Sequence, residues 1–256
     1  MTATRNSYPS TKERLSCVTL PRQTKTYTVI PHATVLDLVE KTIANCGMEI
    51  SNSHFLSSKN GNVMYAEYLI KTDDPDMTMT YNLTNSYDKS ERFISCPGAK
   101  IKLTGNTMMS KVGCWKRLHT GTADTEAYSK IITSIQESAN AFNELKSDKD
   151  EMIKQKLTQV EFGRLLGEMF ARKLITSTEF NSAWNEAKKP SFEYNLEKGN
   201  LWILYNSVMK AVSESSVKKM LERQINIHEF FRINYCAEKE TTSIQNLYED
   251  NSNPIG

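Results

Sequence analysis

Basic side chains are concentrated in one stretch of the chain, between Lys89 and Arg117. This stretch carries seven Lys or Arg residues against one Glu, whereas residues 67–88 carry five Asp or Glu residues against one Lys. Cations along a sheet edge or groove, with an aromatic ring nearby, suit a phosphate backbone and stacked bases. The pattern predicts a site for single-stranded nucleic acid that consists of Arg92, Lys100, Lys102, Lys111, Trp115, Lys116 and Arg117.

A solvent-facing sheet surface, balanced by the acidic turn before it, would give the same pattern, because charged residues mostly lie on protein surfaces. The charge of the whole chain does not separate the two interpretations. The 256 residues include 32 Lys and Arg and 30 Asp and Glu, which leaves a formal charge of +2. Any affinity for nucleic acid must therefore come from local clustering.

The sequence contains no catalytic motif with a known mechanism. It has no Gly-rich phosphate loop followed by Lys, no G-x-S-x-G and no H-E-x-x-H. His119 has the chemistry of a general base, but a lone histidine before a turn residue such as Gly121 more often orders that turn. We therefore expect a protein that is not an enzyme and has no cofactor.

Two groups of potential metal ligands lack the spacing of a known site. The group that lacks the Gly and Glu of a calcium loop consists of Asp73, Asp74 and Asp76. The group that lacks zinc-finger spacing consists of Cys96, Cys114 and His119. We expect no bound metal, and an enzyme with a metal near Asp73, Asp76 and Asp88 is a third and weaker hypothesis.

The first predicted element is a short helix over about residues 35–46. Thr34 can cap this helix, Asp37 occupies the complementary N3 position, and Gly47 can end it.

The following region has the alternation of β-strands. Strands at residues 48–58 and 63–72 flank Asn60-Gly61, which predicts a hairpin with a type I′ turn. Apolar and polar residues also alternate at 77–84 and 100–104. The four strands predict an antiparallel β-meander with one solvent-facing side.

The second half of the chain has helical spacing of its apolar residues. One apolar stripe runs through residues 128–142. A capping box at Thr158 and Glu161 begins a second helix, and Ser177 or Thr178 begins a third. The remaining segments are a helix at 201–212 and a segment at 224–236 that fits either a helix or a strand.

These elements predict one α+β unit, in which an N-terminal helix and an antiparallel meander precede a helical C-terminal half packed on the sheet. The predicted parts are a flexible basic arm at 1–28, a sheet region at 29–121, a helical region of the same domain at 122–236 and a disordered tail at 237–256.

We expect the protein in the cytoplasm and not in a membrane. No stretch approaches the roughly 18 to 20 apolar residues of a membrane span, and the N-terminus lacks the apolar centre of a secretory signal. The five cysteines are scattered without C-x-x-C spacing, which favours reduced thiols.

Four short motifs occur in a distinctive order: Asn85-Ser86-Tyr87-Asp88-Lys89-Ser90, then Leu103-Thr104-Gly105-Asn106-Thr107-Met108, then His119-Thr120-Gly121, then Gly199-Asn200-Leu201-Trp202. Over roughly residues 30–232 this order resembles the phage/plasmid-like protein family, domain of unknown function 932. The chain departs from the family pattern at Lys89, Gly105 and Met108, where relatives tend to have Gly, Cys and Leu.

The resemblance implies a phage, prophage or plasmid origin and a role in the bacterial cytoplasm, but it implies no activity. It gives a shared context to five polar residues that either build tight turns or line a ligand groove, namely Asn85, Ser86, Asp88, Asn106 and His119.

The order of elements is also similar to that of single-strand annealing proteins, in which a basic groove above a β-meander holds single-stranded DNA, usually in a ring. This fold-level analogy implies a homo-oligomer that serves replication or recombination. The alternative is a non-enzymatic phage accessory protein that binds a host defence or regulatory factor through its helical half.

Overall fold

A computed structural model of the protein describes residues 8–197, 199–213 and 219–236. Seven strands lie within these residues: β1 (Tyr8–Ser10), β2 (Ile50–Ser57), β3 (Val63–Ile70), β4 (Met77–Ser86), β5 (Phe93–Ile101), β6 (Thr107–Met109) and β7 (Trp115–Arg117). They form one antiparallel sheet in the order β1 to β6, and β7 pairs with β5 beside β6. The predicted α+β fold, an antiparallel meander followed by a helical C-terminal half, is confirmed.

Eight α-helices occur in the same described residues: α1 (Lys12–Ser16), α2 (His32–Asn45), α3 (Ala123–Gln136), α4 (Ser138–Lys154), α5 (Gln159–Ala171), α6 (Ser177–Lys188), α7 (Leu201–Ser213) and α8 (Met220–Phe231). A π-helical turn, Arg232–Cys236, follows α8. The segment that fitted either a helix or a strand is therefore helical. The predicted disordered tail at 237–256 lies outside the described residues.

The central strands are buried on both faces. One face carries Met64, Tyr68 and Tyr81, which belong to the main core together with apolar residues of α2, α3 and α4. The other face carries Tyr65 and Ile94, which pack with the N-terminal half of α8. The prediction that one side of the meander faces solvent is wrong, because the side chains of β3 to β5 are covered on this second face too.

The fourth strand of the meander begins earlier than predicted. β5 starts at Phe93 and ends at Ile101, whereas the alternation indicated 100–104. Pro97 and Gly98 hide this strand in the sequence, because both residues are rare inside strands. Pro97 is tolerated because it lies between the part of β5 that pairs with β7 and the part that pairs with β6.

The predicted hairpin between β2 and β3 is present, but its turn differs. Ser58 N–H donates to Val63 O over 2.9 Å, which closes a four-residue loop, and Gly61 N–H donates to Ser58 O over 2.9 Å. Only Gly61 in this loop has positive φ, at 77°. A type I′ turn needs positive φ at both central residues, so this loop is of the longer kind built on a type I turn.

Residues 8–28 are not a loose arm. β1 extends the sheet by pairing with β2, and Leu15 of α1 is 1% exposed in the main core. Tyr27 is 2% exposed. Its hydroxyl oxygen lies 3.3 Å from the carbonyl oxygen of Ser86 and 3.3 Å from that of Tyr87, which both accept its hydrogen bond. The segment therefore packs on the sheet, which corrects the predicted flexible arm for these residues.

Helix α2 begins earlier than its predicted cap. Its N-cap is Pro31, whose carbonyl oxygen accepts a hydrogen bond from Val35 N–H at 3.3 Å. The fixed φ of proline suits a helix start. Asp37, predicted to complete a cap with Thr34, instead forms an ion pair with Lys12 at 2.7 Å.

The helical half keeps its predicted elements with two changes. The long apolar stripe is divided between α3 and α4, and Ser138 Oγ donates to Ser134 O at the break over 3.1 Å. Such back-bonding bends helices. The capping box that begins α5 is confirmed, and α6 begins at Ser177, one of the two predicted starts, with a second capping box formed by Thr176 and Glu179.

Replacing Gly98 by Ala should destabilise the protein by about 1–3 kcal/mol, because an added methyl group overpacks a closed site. A Cβ there would lie 2.7 Å from Met108 O and 2.8 Å from Thr80 Oγ1. Gly167→Ala in α5 is the control, because nothing lies within 4 Å of its added Cβ. That change should stabilise by about 0.5–1 kcal/mol. Urea denaturation of both variants measures the difference, and equal stabilities would contradict the close packing at Gly98.

Candidate nucleic-acid interface

Asn85, at the end of β4, joins two buried histidines. Its Nδ2 donates to Ile30 O at 2.7 Å and lies 2.9 Å from His32 Nδ1, while its Oδ1 lies 2.7 Å from His119 Nε2. His32 Nε2 is 3.2 Å from Gly61 O. These contacts fix one neutral tautomer for each ring, because His32 accepts at Nδ1 and donates at Nε2, and His119 donates at Nε2.

Aromatic rings enclose this cluster. The rings of His32 and Tyr87 stack with centroids 3.9 Å apart, and the Tyr87 hydroxyl accepts a hydrogen bond from His32 N–H at 2.7 Å. The ring of Tyr27 lies 5.8 Å from His119. Burial lowers the pKa of both histidines to about 4. His119 is thus a buried hydrogen-bond donor to Asn85 of β4, rather than to the turn at Gly121 that follows it.

Ser86 and Asp88 stabilise the loop between β4 and β5. Ser86 Oγ donates to Glu91 O at 2.9 Å and accepts from Glu91 N–H at 3.2 Å. Asp88 Oδ1 accepts from the N–H and the hydroxyl of Ser90. Lys89, which lies between Asp88 and Ser90, has φ of 61°, a conformation that favours Gly. These residues build a turn, and the departure at Lys89 falls on its most strained position.

Asn106 belongs to a different cluster. Its Nδ2 donates to the main-chain oxygen of Asn206 in α7 at 3.0 Å. Thr104 Oγ1 also donates to Asn206 Oδ1, at 3.0 Å. Asn106 lies beside the C-terminal end of β5, whereas Asn85 and His119 lie near its N-terminal end. The five motif residues therefore do not form one ligand groove.

Lys100 is part of the sheet interior. Its Nζ lies 2.6 Å from Glu67 Oε2, and the Glu67 side chain is only 1% exposed. Thr107 Oγ1 donates to the other carboxylate oxygen at 2.8 Å. Breaking such a buried pair leaves an uncompensated charge, so Lys100 is not available to a phosphate. The sequence analysis did not identify Glu67 as the partner of Lys100. A Glu between Ala66 and Tyr68 in an otherwise apolar strand indicates a buried carboxylate that needs a cationic partner.

Lys111 and Lys116 meet carboxylates of α8. Lys111 Nζ lies 3.2 Å from Glu229 Oε1, and Lys116 Nζ lies 3.2 Å from Glu222 Oε1. The two lysine side chains remain 64% and 46% exposed. Exposed ion pairs contribute about 0–1 kcal/mol each, so these contacts are weak and exchangeable.

The remaining members of the predicted interface are spread around the same strands. Arg117 pairs with Glu126 of α3, and Lys102 Nζ donates to Asp74 O at 2.6 Å. Trp115 is half-buried, with its ring 5.8 Å from that of Phe93. Arg92 is exposed and has no ion pair within the described residues. Arg92, Lys111, Lys116 and Arg117 lie along the edge formed by β5, β6 and β7, whereas Lys100 is in the sheet interior and Lys102 lies beyond the C-terminal end of β5. The seven predicted residues therefore do not share one face.

No group of three or more His, Cys, Asp or Glu side chains that could hold a metal ion occurs in the described residues. Asp74 Oδ1 instead accepts from the N–H groups of Asp76 and Met77, and Asp74 Oδ2 pairs with Lys146 at 2.7 Å. Cys96 and Cys114 lie together, but His119 belongs to the Asn85 cluster. The side chains of these three residues are therefore not brought together.

A second histidine network holds the helices of the C-terminal half together. His228 Nδ1 in α8 lies 3.2 Å from the hydroxyl of Tyr205 in α7, and His228 Nε2 lies 3.1 Å from Asp148 Oδ2 in α4. Burial, followed by the Asp148 charge, raises the pKa of Tyr205. All three residues are buried, so the network joins three helices rather than facing a substrate.

No protein-family model, curated protein or solved structure matches this chain. The resemblance to the phage/plasmid-like family therefore stays a prediction. None of the helices in the described residues is long and apolar enough to cross a membrane.

Acidification should destabilise the protein through His32 and His119. Their pKa values fall from 6.5 in the unfolded chain to about 4, so the unfolded state binds more protons between these values. The free energy of unfolding should be largest above pH 6.5 and decrease toward pH 4, by at most about 1.4 kcal/mol per pH unit for each histidine. Urea denaturation between about pH 7 and about pH 5 measures this slope.

Two variants assign the slope to the cluster. His119→Gln keeps a side-chain donor for Asn85 but does not titrate, so the slope should decrease. His54→Gln, in β2 and outside the cluster, should leave it unchanged. An unchanged slope in His119→Gln would rule out the cluster as the source.

Proposed function

We propose that the protein binds single-stranded nucleic acid through the β5–β7 edge, a surface formed by Arg92, Lys111, Lys116 and Arg117. The positions of these four cations support the proposal. Arg92 lies directly before β5, Lys111 lies in the turn before β7, and Lys116 and Arg117 lie in β7, which pairs with β5. Three of them pair only with partly exposed carboxylates. Phosphate groups can replace such carboxylates, because surface ion pairs contribute little and are screened by salt.

The proposed surface is smaller than the one expected from the sequence. Lys100 is excluded by its buried pair with Glu67, and Trp115 by its packing against Phe93. Lys102 lies at the other end of β5. Binding should therefore be electrostatic, with little stacking on bases and no base specificity from this edge.

The biological setting belongs to the same proposal. The family resemblance supports a phage- or plasmid-encoded protein in the bacterial cytoplasm, and mobile elements need single-strand-binding proteins in replication and recombination. Annealing of complementary strands and assembly into a homo-oligomer are the further parts of this proposal, and both rest on the analogy of element order alone.

Changing Lys111 and Lys116 to Gln together should weaken binding of a single-stranded oligonucleotide. The slope of log affinity against log salt should become shallower by about 0.7 for each phosphate that the variant no longer neutralises. Fluorescence anisotropy over a salt series measures both effects. Lys41→Gln with Lys130→Gln, on exposed positions of α2 and α3, removes the same charge elsewhere and should have a smaller effect. Equal reductions in affinity in the two double variants would contradict a defined surface.

The carboxylates of α8 give the opposite test. Glu222→Gln with Glu229→Gln frees both lysines, so affinity for the same oligonucleotide should increase and the salt slope should become steeper. The cost in stability should be at most about 1 kcal/mol for each of the three ion pairs that the variant loses, since Glu229 also pairs with Arg232 at 3.1 Å. No binding by this variant at low salt would remove the proposal.

A protein partner is the second candidate, and an apolar groove in the helical half favours it. The groove lies between α5, α6 and α7 and is lined by Leu157, Phe162, Trp184, Pro190 and Ile203. Val160 in α5, next to the groove residue Gln159, is 81% exposed. Large exposed apolar side chains beside a groove are typical of protein-binding surfaces.

Pull-down from nuclease-treated bacterial lysate separates the two candidates. The groove would be supported as the binding site if a stoichiometric host protein is retained by wild type and by the Lys111→Gln, Lys116→Gln variant. The same host protein should be lost from Val160→Glu. Val160 is exposed, so this change should not affect folding. Retention by Val160→Glu would contradict the groove as the binding site.

A further inference from the structure

Cys96 and Cys114 face each other across the β5–β7 ladder. The ladder pairs Ile94 with Lys116 and Ser95 with Trp115, so the same register places Cys114 opposite Cys96. Both sulfur atoms belong to the small apolar cluster on the second face of the sheet. Opposed residues in antiparallel strands have Cα atoms about 4.5–5.5 Å apart, within the roughly 4.4–6.8 Å that a disulfide spans.

The Cys96 thiol keeps its proton. It is buried, and its Sγ lies 2.9 Å from Ser110 O and 3.2 Å from Pro97 O, two acceptors that favour the protonated form. Burial raises the pKa of Cys96 well above its ordinary value, and the hydrogen bond with Cys114 raises it further. Cys96 is therefore the less reactive sulfur of the two.

Cys114 is the sulfur that ionises first. Its pKa is lowered by the hydrogen bond with Cys96 and, against the opposing effects of burial and of Glu222, by the charges of Lys116 and Lys111. It is also partly exposed, whereas Cys96 is buried. A more acidic, accessible thiol next to a buried partner is the arrangement of an attacking and a resolving cysteine.

We propose that Cys96 and Cys114 form a redox-active dithiol that a hydroperoxide oxidises to an intramolecular disulfide. The thiolate of Cys114 attacks the peroxide oxygen and the O–O bond breaks. This leaves a sulfenic acid, and the departing alkoxide or hydroxide takes up a proton. Cys96 then attacks the sulfenic sulfur, the S–O bond breaks, and the released hydroxide leaves as water with the Cys96 proton. Two molecules of a low-molecular-weight thiol restore the dithiol by exchange.

This inference goes beyond the proposed function and does not depend on it. The disulfide would join the residue directly before β7 to β5 covalently, at the side of the sheet that carries Lys116. A dithiol that only fills space in the apolar cluster would leave both sulfurs reduced after the same treatment, so the two roles are distinguishable by chemistry alone.

Oxidation of the full-length wild type with hydrogen peroxide, followed by denaturation, alkylation and non-reducing proteolysis, tests the proposal. We expect one cross-linked peptide pair containing Cys96 and Cys114, loss of two hydrogen atoms from the protein mass and loss of two alkylatable thiols. The exposed Cys17 and Cys46 are internal controls for ordinary reactivity. Full alkylation of Cys96 and Cys114 after oxidant has consumed Cys17 and Cys46 would overturn the proposal.

The order of attack is tested in a background with Cys17, Cys46 and Cys236 changed to Ser. Adding Cys96→Ser should stop the reaction at a sulfenic acid on Cys114, which dimedone traps. Adding Cys114→Ser should leave Cys96 unreactive. Trapping on Cys96 in the second variant would overturn the assigned roles.

Alkylation rate against pH gives an independent measurement. In Cys96→Ala, in the same background, the midpoint for thiolate formation at Cys114 should move to higher pH, because the Cys96 thiol that lowers the pKa of Cys114 is then absent. Circular dichroism checks that the variant is folded. A folded variant with an unchanged midpoint would contradict the contact between the two sulfurs.

Discussion

The side-chain amide of Asn85 has one orientation that satisfies all of its neighbours, and the assembly of the sheet edge depends on it. Its nitrogen serves Ile30 O and His32, and its oxygen serves His119, so three separate segments meet at one buried group. A buried network of this kind stabilises only when every member is satisfied. The orientation of the Asn85 amide therefore also requires that the rings of His32 and His119 are neutral.

Helix α8 has two functions in the fold. Its first half covers the second face of the sheet with Met220, Leu221 and Ile225, which is why the meander has no open side there. Its acidic residues Glu222 and Glu229 lie against the basic edge. A stretch that is strongly basic in sequence thus becomes a partly compensated surface, and the proposed interface consists of the charge that this helix leaves accessible.

The fold was predictable where the signals are local. The capping box at Thr158 and the alternation in β4 needed only neighbouring residues. The contacts that decide the site are not local: Lys116 and Glu222 are separated by 106 residues, and Lys100 and Glu67 by 33. No periodicity reports such pairs. The first part of β5 was hidden for another reason, because Pro97 and Gly98 are rare inside strands, and Pro97 lies between the stretches of β5 that pair with β7 and with β6.

The hydrogen bonds of Thr28 have a consequence for biosynthesis. Its N–H donates to His119 O and its hydroxyl to Gly121 O, across 93 residues in the latter case. On the ribosome, the N-terminal segment therefore emerges long before its partners are made. Since such contacts form only after a large loop has closed, Thr28 cannot make its native hydrogen bonds until β7 and the turn after it have left the exit tunnel. The residues around Thr28 are therefore among the last in the described part of the chain to reach their native positions.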